Sequence, residues 1–259
     1  MKGLSITIPG ISLESIATSL SLPVTQDLQS FGLYSELSKD KNLTGAAVSH
    51  TYTGELTFDS LGVKTNNNQS GVKLGTAIDS EKTFLVAIKL PETTDKLMVP
   101  IVGNWYPNNA SAVGAGAGIG IAVQGSGSTG YPVKIAKLIY THEPTSGGST
   151  VNANVSSSGN FFVQGWNFIA LTVTSSKATA KNLKTGFVVE ASAPAGTKTY
   201  FKYPDEAVLL KSVTPAGTED FGTTKAAWCA VYNRVLTSAE MQAMFDWSNR
   251  YLKNKGETL

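Results

Sequence analysis

Residues 226–256, AAWCAVYNRVLTSAEMQAMFDWSNRYLKNKG, contain the strongest fold signals in the chain. Residues 226–232 form a short apolar run that includes Trp228, and such a run predicts a buried strand. Thr237, followed by Glu240 three positions later, is a capping-box pattern that predicts the start of a helix. One face of this helix is apolar at helical spacing, and it carries Met241, Met244, Phe245, Ser248, Tyr251 and Leu252. Gly256 can cap the helix C-terminus. The chain is therefore expected to close with a buried strand and an amphipathic helix.

The composition favours β structure over the rest of the chain. Hydrophobic residues make up 41% of the 259 residues and charged residues only 15%, so few residues are available for exposed helix faces. Short strands are predicted at 51–58, 72–74, 83–89, 98–102, 118–123, 133–140, 161–163, 166–173, 177–181, 187–191 and 207–210. The segments 146–159 and 193–196 are expected to be loops. Both faces of 83–89 are apolar, which predicts a central strand.

This series of strands with one helix at its end excludes a parallel α/β fold, which needs a helix between successive strands. A chain of this length can hold an all-β sandwich as one domain. The expected fold is therefore all-β, a two-sheet antiparallel sandwich with one C-terminal helix.

Several phrases of the sequence resemble one known family. Residues 232–240 (YNRVLTSAE) are similar to the closing strand, turn and helix of the concanavalin A-like (laminin-G-like) lectin/glucanase family, and residues 166–173 (WNFIALTV) resemble its central strand. The phrases FGLY at 31–34, LTF at 56–58 and TF at 83–84 resemble its opening segment in the same order. The resemblance spans residues 28–256 and implies a jelly roll with the final helix on the outside. The sequence departs from the family at two places. An acidic residue that is usual in the last strand is replaced at Ala226 and Ala227, and NLKTG at 182–186 replaces the usual NG. The resemblance therefore supplies no metal ligands.

The segment before the resemblance is expected to be separate from the sandwich. Residues 1–27 are interpreted as an N-terminal arm and residues 28–259 as the sandwich domain. In the arm, residues 4–8 have the pattern of an edge strand and residues 12–20 that of a short helix, which Pro23 ends. The arm either attaches the domain to another subunit or folds back on its own domain.

Charge and composition exclude several classes of partner. The net charge is +2 and the arginines are Arg234 and Arg250, so the bidentate donors that read bases are nearly absent and nucleic acid is not an expected partner. No apolar stretch is long enough to predict membrane insertion. Cys229 is the sole cysteine and is expected to be a buried hydrophobe. His50 and His142 have no metal-ligand spacing around them, so neither a metal nor another cofactor is predicted.

The sequence does not predict an enzyme. Polysaccharide-cleaving relatives of the resembled family carry a Glu-x-Asp-x-x-Glu strand, which places their nucleophile and acid on one face, and no such strand is present. Asp79 and Glu81 alternate, but in a setting that favours a solvated pair. Neither histidine has the sequence context of a catalytic triad, although a triad is defined by geometry rather than by order along the chain.

The candidate ligand-binding residues are aromatic and amide side chains in a polar loop. Asn104, Trp105, Tyr106 and Asn108 combine flat apolar rings with hydrogen-bonding groups, as a surface for stacking against a sugar would. Tyr131 is a weaker candidate of the same kind. The alternative is that Trp105 is a core anchor, since large aromatic residues are highly buried on average.

Two classes of function remain open. The first is a non-catalytic module that recognises a surface carbohydrate or receptor, as the resemblance implies, in a bacteriophage or prophage particle. The second is a structural subunit of a virion, held to other subunits through the N-terminal arm and without glycan binding. A polysaccharide-active enzyme is a distant third. Because the N-terminus has no clear signal peptide, the expected location is a virion or an extracellular surface after synthesis in the cytoplasm.

Overall fold

The computed structural model describes residues 20–65, 70–94, 98–106, 117–125, 130–203, 205–211 and 224–257. These residues form two eight-stranded antiparallel sheets and one C-terminal helix, which confirms the predicted all-β sandwich. A large cluster of buried side chains, including Phe84, Ile88, Leu138 and Leu171, forms the core.

Sheet I is built around the central strand. Its order is β15 (Val188–Ser192), β14 (Lys177–Asn182), β13 (Gly165–Val173), β6 (Lys82–Leu90), β18 (Lys225–Tyr232), β4 (Val63–Thr65) and β3 (Leu56–Phe58), and β1 (Leu28–Leu33) also pairs with β18. Strand β6 lies between β13 and β18, and all but one of its residues are buried. The expectation from its two apolar faces is confirmed.

Sheet II is the second layer. Its order is β12 (Val151–Ser156), β11 (Ile135–Pro144), β9 (Gly120–Gln124), β8 (Met98–Gly103), β17 (Glu206–Leu209), β5 (Gly71–Ala77) and β2 (Thr51–Thr53), and β16 (Thr197–Thr199) also pairs with β11. A two-stranded ribbon of β7 (Thr93–Thr94) and β10 (Tyr131–Pro132) accompanies the two sheets.

The C-terminal helix α1 (Ser238–Asn254) covers the outer face of sheet I. Trp228 of β18 is fully buried there, and its indole Nε1 donates to the Oγ of Ser248 over 2.9 Å. Trp247 packs edge-on against Trp228, with ring centroids 5.3 Å apart. Trp247 was not among the residues assigned to the apolar face, although it belongs to that packing. The apolar face of α1 is therefore wider than the predicted stripe, because it also includes Trp247, which packs against Trp228 of β18.

The predicted helix start and end are confirmed. The Oγ1 of Thr237 accepts a hydrogen bond from the backbone N–H of Glu240, and the Glu240 carboxylate accepts one from the backbone N–H of Thr237. Arg234 also donates to Glu240, and this charged hydrogen bond lowers the carboxyl pKa to about 2. Gly256 has a φ of 81°, the left-handed conformation expected just past a helix C-terminus.

Residues 20–27, the end of the predicted arm, lie on the domain itself. Leu22 and Val24 are buried in the cluster beneath α1, and the Tyr232 hydroxyl donates to the Val24 carbonyl over 3.0 Å. Residues 1–19 are outside the described residues, so the division into an arm and a domain stays a prediction.

Several segments differ from the sequence-based assignment, and strand β1 was not predicted at all. The predicted strand 51–58 is divided between the two sheets at Gly54, whose φ is 71°. The predicted strand 161–163 is an irregular segment, where Phe161 and Phe162 are buried without belonging to a sheet. The predicted loop 146–159 contains strand β12, because backbone pairing with β11 is available to a polar segment at a sheet edge.

Candidate functional site

Three of the residues predicted to bind a ligand are buried. Trp105 is 9% exposed and packs with Ala122 and Ile139 on the outer face of sheet II. Tyr106 lies in the core and stacks on Tyr203, with ring centroids 5.8 Å apart. Asn104 is fully buried, and its Oδ1 accepts a hydrogen bond from the backbone N–H of Ile119. These side chains fit the core-anchor alternative rather than an exposed platform, and their contact with a ligand stays a prediction.

The other two predicted residues are described only in part or not at all. Asn108 lies outside the described residues. Tyr131 belongs to strand β10, where it pairs with Thr94 of β7. Its neighbour Pro132 lines a surface groove that sequence reasoning did not identify.

This end groove consists of two adjoining depressions between the start of β11 and the loop that follows β12. The first has a volume of about 330 Å³ and is lined by Pro132, Lys134, Ile135 and residues 157–160. The second, of about 290 Å³, shares Pro132, Lys134 and Asn160 with the first and extends to Glu92, Thr93, Val133 and residues 162–164. The two depressions are thus continuous.

Polar side chains stand around an apolar floor in the end groove. Lys134, Ser158, Asn160, Gln164 and Glu92 are exposed, whereas Phe162 is fully buried beneath them. Amides, hydroxyls and an ammonium group together offer both donors and acceptors. The groove can therefore hydrogen-bond a ligand that carries many hydroxyl groups.

Phe187 adds an aromatic surface at the rim of the end groove. At 44% exposure, it is the most exposed aromatic side chain whose burial the structure describes. Its ring lies against Gly159 of the groove, so close that a Cβ at this glycine would be 3.0 Å from the phenylalanine Cε1. A side chain at Gly159 would press on the ring. Glycine therefore lets Phe187 approach the groove.

The turn before Phe187 is held by two buried amides. The Nδ2 of Asn182 donates to the Phe161 carbonyl over 2.7 Å and to the Oδ1 of Asn167 over 2.9 Å. Asn167 in turn donates to the Val163 carbonyl and accepts from the Val163 N–H. Both asparagines are fully buried, so their hydrogen bonds lie in a medium where losing one partner is costly. The network joins the turn that carries Phe187 to the loop that lines the groove.

The described residues of the groove contain no arrangement typical of catalysis or metal binding. Its described lining has one carboxylate, Glu92, and one amine, Lys134, and no histidine or cysteine. Across the described part of the chain, no three His, Cys, Asp or Glu side chains are grouped so that they could hold a metal ion. The same residues include no helix long and apolar enough to cross a membrane. The polar lining and the ring of Phe187 provide groups for hydrogen bonds and for stacking.

A serine, a histidine and a tyrosine do come together elsewhere, although no local pattern in the sequence indicates it. His50 shares one hydrogen bond of 2.7 Å between its Nδ1 and the Tyr34 hydroxyl, and another of 3.0 Å between its Nε2 and the Ser30 Oγ. Burial lowers the pKa of His50 to about 3, which keeps the ring neutral. Ser30 and Tyr34 are fully buried, so no substrate reaches the hydroxyl of Ser30. The three residues join β1 to the start of β2 and serve the fold.

The predicted solvated carboxylates also have structural partners. Asp79 forms an ion pair of 3.0 Å with the buried amine of Lys82. Glu81 accepts a hydrogen bond of 2.9 Å from the backbone N–H of Ser175. Each carboxylate therefore has a local role in fixing a turn.

Comparison with known proteins identifies the fold. No family model matches the chain, and no curated protein matches its sequence. The structure is similar to that of the Trypanosoma rangeli sialidase in complex with sialic acid, with a TM-score of 0.57, 13% sequence identity and coverage of 90% of this chain and 36% of that chain. It is also similar to the same sialidase in complex with 2,3-difluorosialic acid, with a TM-score of 0.55, 14% identity and the same coverage. The chain spans about a third of the sialidase, and the likeness is one of fold.

Sequence reasoning missed Phe187 and the groove residues. Phe187 was assigned to the start of an apolar strand, whereas the strand begins at Val188. The available signal was its position directly after Gly186, because turn residues lie at the surface and an aromatic residue next to one is often only partly covered. The groove itself joins residues from distant parts of the chain, and no local pattern predicts that.

Proposed function

We propose that this domain is a non-catalytic module that binds a carbohydrate in the end groove. The observation that carries the proposal is the exposed ring of Phe187 against a groove lined by amides and hydroxyls. An aromatic face packs against the C–H groups of a sugar ring, while nearby polar groups hydrogen-bond its hydroxyls. A concanavalin A-like jelly roll agrees with the two-sheet fold and with the similarity to a sialidase.

The charge of the end groove favours an uncharged sugar. Carboxylates are recognised best by the two parallel N–H groups of arginine, and the arginines of the chain are Arg234 and Arg250. Arg234 is paired with Glu240 and Asp27, and Arg250 lies on α1. The groove instead has one amine, Lys134, and one carboxylate, Glu92. We therefore expect a neutral glycan, although the similar sialidase was solved with sialic acid.

The experiment is glycan-array binding with two exposed residues changed in turn. Phe187→Ala removes the stacking ring, and Val188→Ala is its matched control, because Val188 is 50% exposed on the same edge, whereas the atoms nearest a Cβ at Gly159 of the groove all belong to Phe187. We expect Phe187→Ala to weaken glycan binding at least about tenfold, as truncation of a binding hot spot does. Val188→Ala should bind like the unchanged protein.

Both variants should remain folded. Exposed substitutions away from special backbone positions usually change stability by about 0.5 kcal/mol or less, and a thermal melt checks this. Equal binding by Phe187→Ala and the unchanged protein would refute the groove as the site. Binding of sialylated glycans in preference to neutral ones would contradict the expectation from charge.

The proposal excludes hydrolysis of the bound sugar. Glycosidases use two carboxylates on either side of the scissile bond, and the described lining of the groove has only Glu92. Incubation with the glycans that bind should release no reducing sugar. If turnover is detected and is lost in Asp79→Asn or Glu81→Gln, the domain is an enzyme with its site elsewhere.

We further propose that the domain works on a bacteriophage or prophage particle, with attachment through residues 1–27. The support is the resemblance of the sequence. Residues 20–27 lie on the domain itself, so the attaching part of the arm is expected to be residues 1–19. Deletion of residues 1–19 should release the domain from its particle and leave glycan binding unchanged. If the deleted protein still assembles, the arm is not the attachment. A domain that assembles but binds no glycan would instead be the structural virion subunit.

A further inference from the structure

The outer face of sheet II continues from the end groove as a row of polar side chains. Cross-strand pairs place Gln124 opposite Ile135, Ser156 opposite Lys137, Asn154 opposite Ile139 and Asn152 opposite Thr141. Ile139 lies outside the core cluster and packs with Trp105 and Ala122, which shows that this set points away from sheet I. We call Gln124, Lys137, Asn152, Asn154 and Ser156 the outer track.

The outer track is accessible and partly pre-oriented. Asn154 and Ser156 are exposed, and Gln124, Lys137 and Asn152 are half-buried. Ser156 donates to the Oε1 of Gln124, and Thr141 donates to the Oδ1 of Asn152 over 2.9 Å. Each of these bonds uses the amide oxygen and thereby orients the amide group. A rigid sheet that fixes amide groups reduces the entropy lost when a ligand binds.

The end groove and the outer track are continuous. Ile135 lines the groove and starts strand β11, and Thr141 lies near the other end of the same strand face. With a rise of about 3.4 Å per residue, these two residues are about 20 Å apart. A single sugar ring occupies only a part of that length.

Trp105 lies at the far end of this surface. It packs on Ile139, next to the row formed by Thr141 and Asn152. Its indole N–H is buried and has no hydrogen-bond partner among the residues that the structure describes, and unpaired buried donors are rare. Because this N–H is buried, the ring of Trp105 supports the end of the surface and presents no donor to a ligand.

We infer that the ligand of the end groove is an oligosaccharide that extends along the outer track, rather than a single terminal sugar. This inference rests on the proposed function. Sugars beyond the one at Phe187 contact Gln124 first, then Lys137 and Ser156, and then Asn154. Affinity is therefore expected to rise with the number of sugars until the track is filled.

The test measures affinity against chain length, using the glycan that binds best on an array and its enzymatically trimmed forms down to one sugar. The double variant Lys137→Ala and Asn154→Ala removes two side chains of the track. Its matched control is Lys73→Ala, because Lys73 is an exposed residue of sheet II on strand β5, away from the track. We expect the full-length glycan to bind the unchanged protein at least tenfold more tightly than the single sugar.

In the double variant this gain should largely disappear, while affinity for the single sugar stays the same. Lys73→Ala should keep the full gain. Affinity that is independent of length, or a gain that survives in the double variant, would overturn the inference and leave the end groove as a site for one sugar. The absence of any glycan binding would overturn both this inference and the proposed function. A thermal melt of each variant confirms that the fold is intact.

Discussion

Mild acid should destabilise this protein through His50. Burial lowers the pKa of its imidazole from 6.5 to about 3 in the folded chain, whereas the unfolded chain keeps an ordinary value. Between these two pKa values the unfolded state binds a proton that the folded state does not. Stability is therefore unaffected above the unfolded pKa, is lost as the pH falls from 6.5 towards 3, and changes no further below that.

The size of this loss follows from the two pKa values. Linkage between protonation and folding gives a loss of about 2 kcal/mol at pH 5 and about 3 kcal/mol at pH 4 from this one residue. An ordinary domain is stabilised by only about 5–15 kcal/mol. A loss of about 2 kcal/mol at pH 5 should therefore be readily measured. The partners of the ring, the hydroxyls of Tyr34 and Ser30, carry no charge that would offset protonation.

The assay is urea unfolding at pH 7, 6 and 5 of the unchanged protein and of His50→Gln. We expect the variant to be less stable than the unchanged protein at pH 7, because a hydrogen bond is lost. Between pH 7 and 5 it should lose less stability than the unchanged protein does. Carboxylates titrate mainly below pH 5, and groups common to both proteins cancel in the difference. Parallel stability curves for the two proteins over this range would refute a neutral, buried His50. A proton titration of the ring followed by NMR gives its pKa directly.

Two further predictions concern the start of helix α1 and the two buried tryptophans Trp228 and Trp105. Thr237→Ala should lower the free energy of unfolding by about 1 kcal/mol, because the N–H of Glu240 loses its capping acceptor; an unchanged urea midpoint would contradict this role. Trp228→Ala should cost about 3–5 kcal/mol, as for other buried aromatic residues, and should melt well below Trp105→Ala, because Trp105 packs in a much smaller cluster. Equal melting temperatures for the two tryptophan variants would show that the outer face of sheet II is packed as firmly as the interface with α1.

The sequence by itself determined most elements of the fold. The apolar run around Trp228, the capping box at Thr237 and the fully apolar strand at 83–89 are local patterns whose physical meaning does not depend on distant residues. Each is confirmed, as β18, the start of α1 and the central β6. The polar strand β12 was not predictable in this way, since it is stabilised by pairing with β11 and not by its own side chains.

Only the tertiary structure decided which side chains reach the surface. Trp105 and Phe187 both stand beside polar turn residues in the sequence, yet the first is buried at 9% exposure and the second is exposed at 44%. The difference arises because Trp105 lies on a face of sheet II where it packs with Ala122 and Ile139, whereas Phe187 precedes an edge strand and lies against Gly159. The end groove likewise brings together residues 92, 134 and 160 from separate loops. Local sequence specifies a strand or a cap, but exposure depends on which distant element lies opposite.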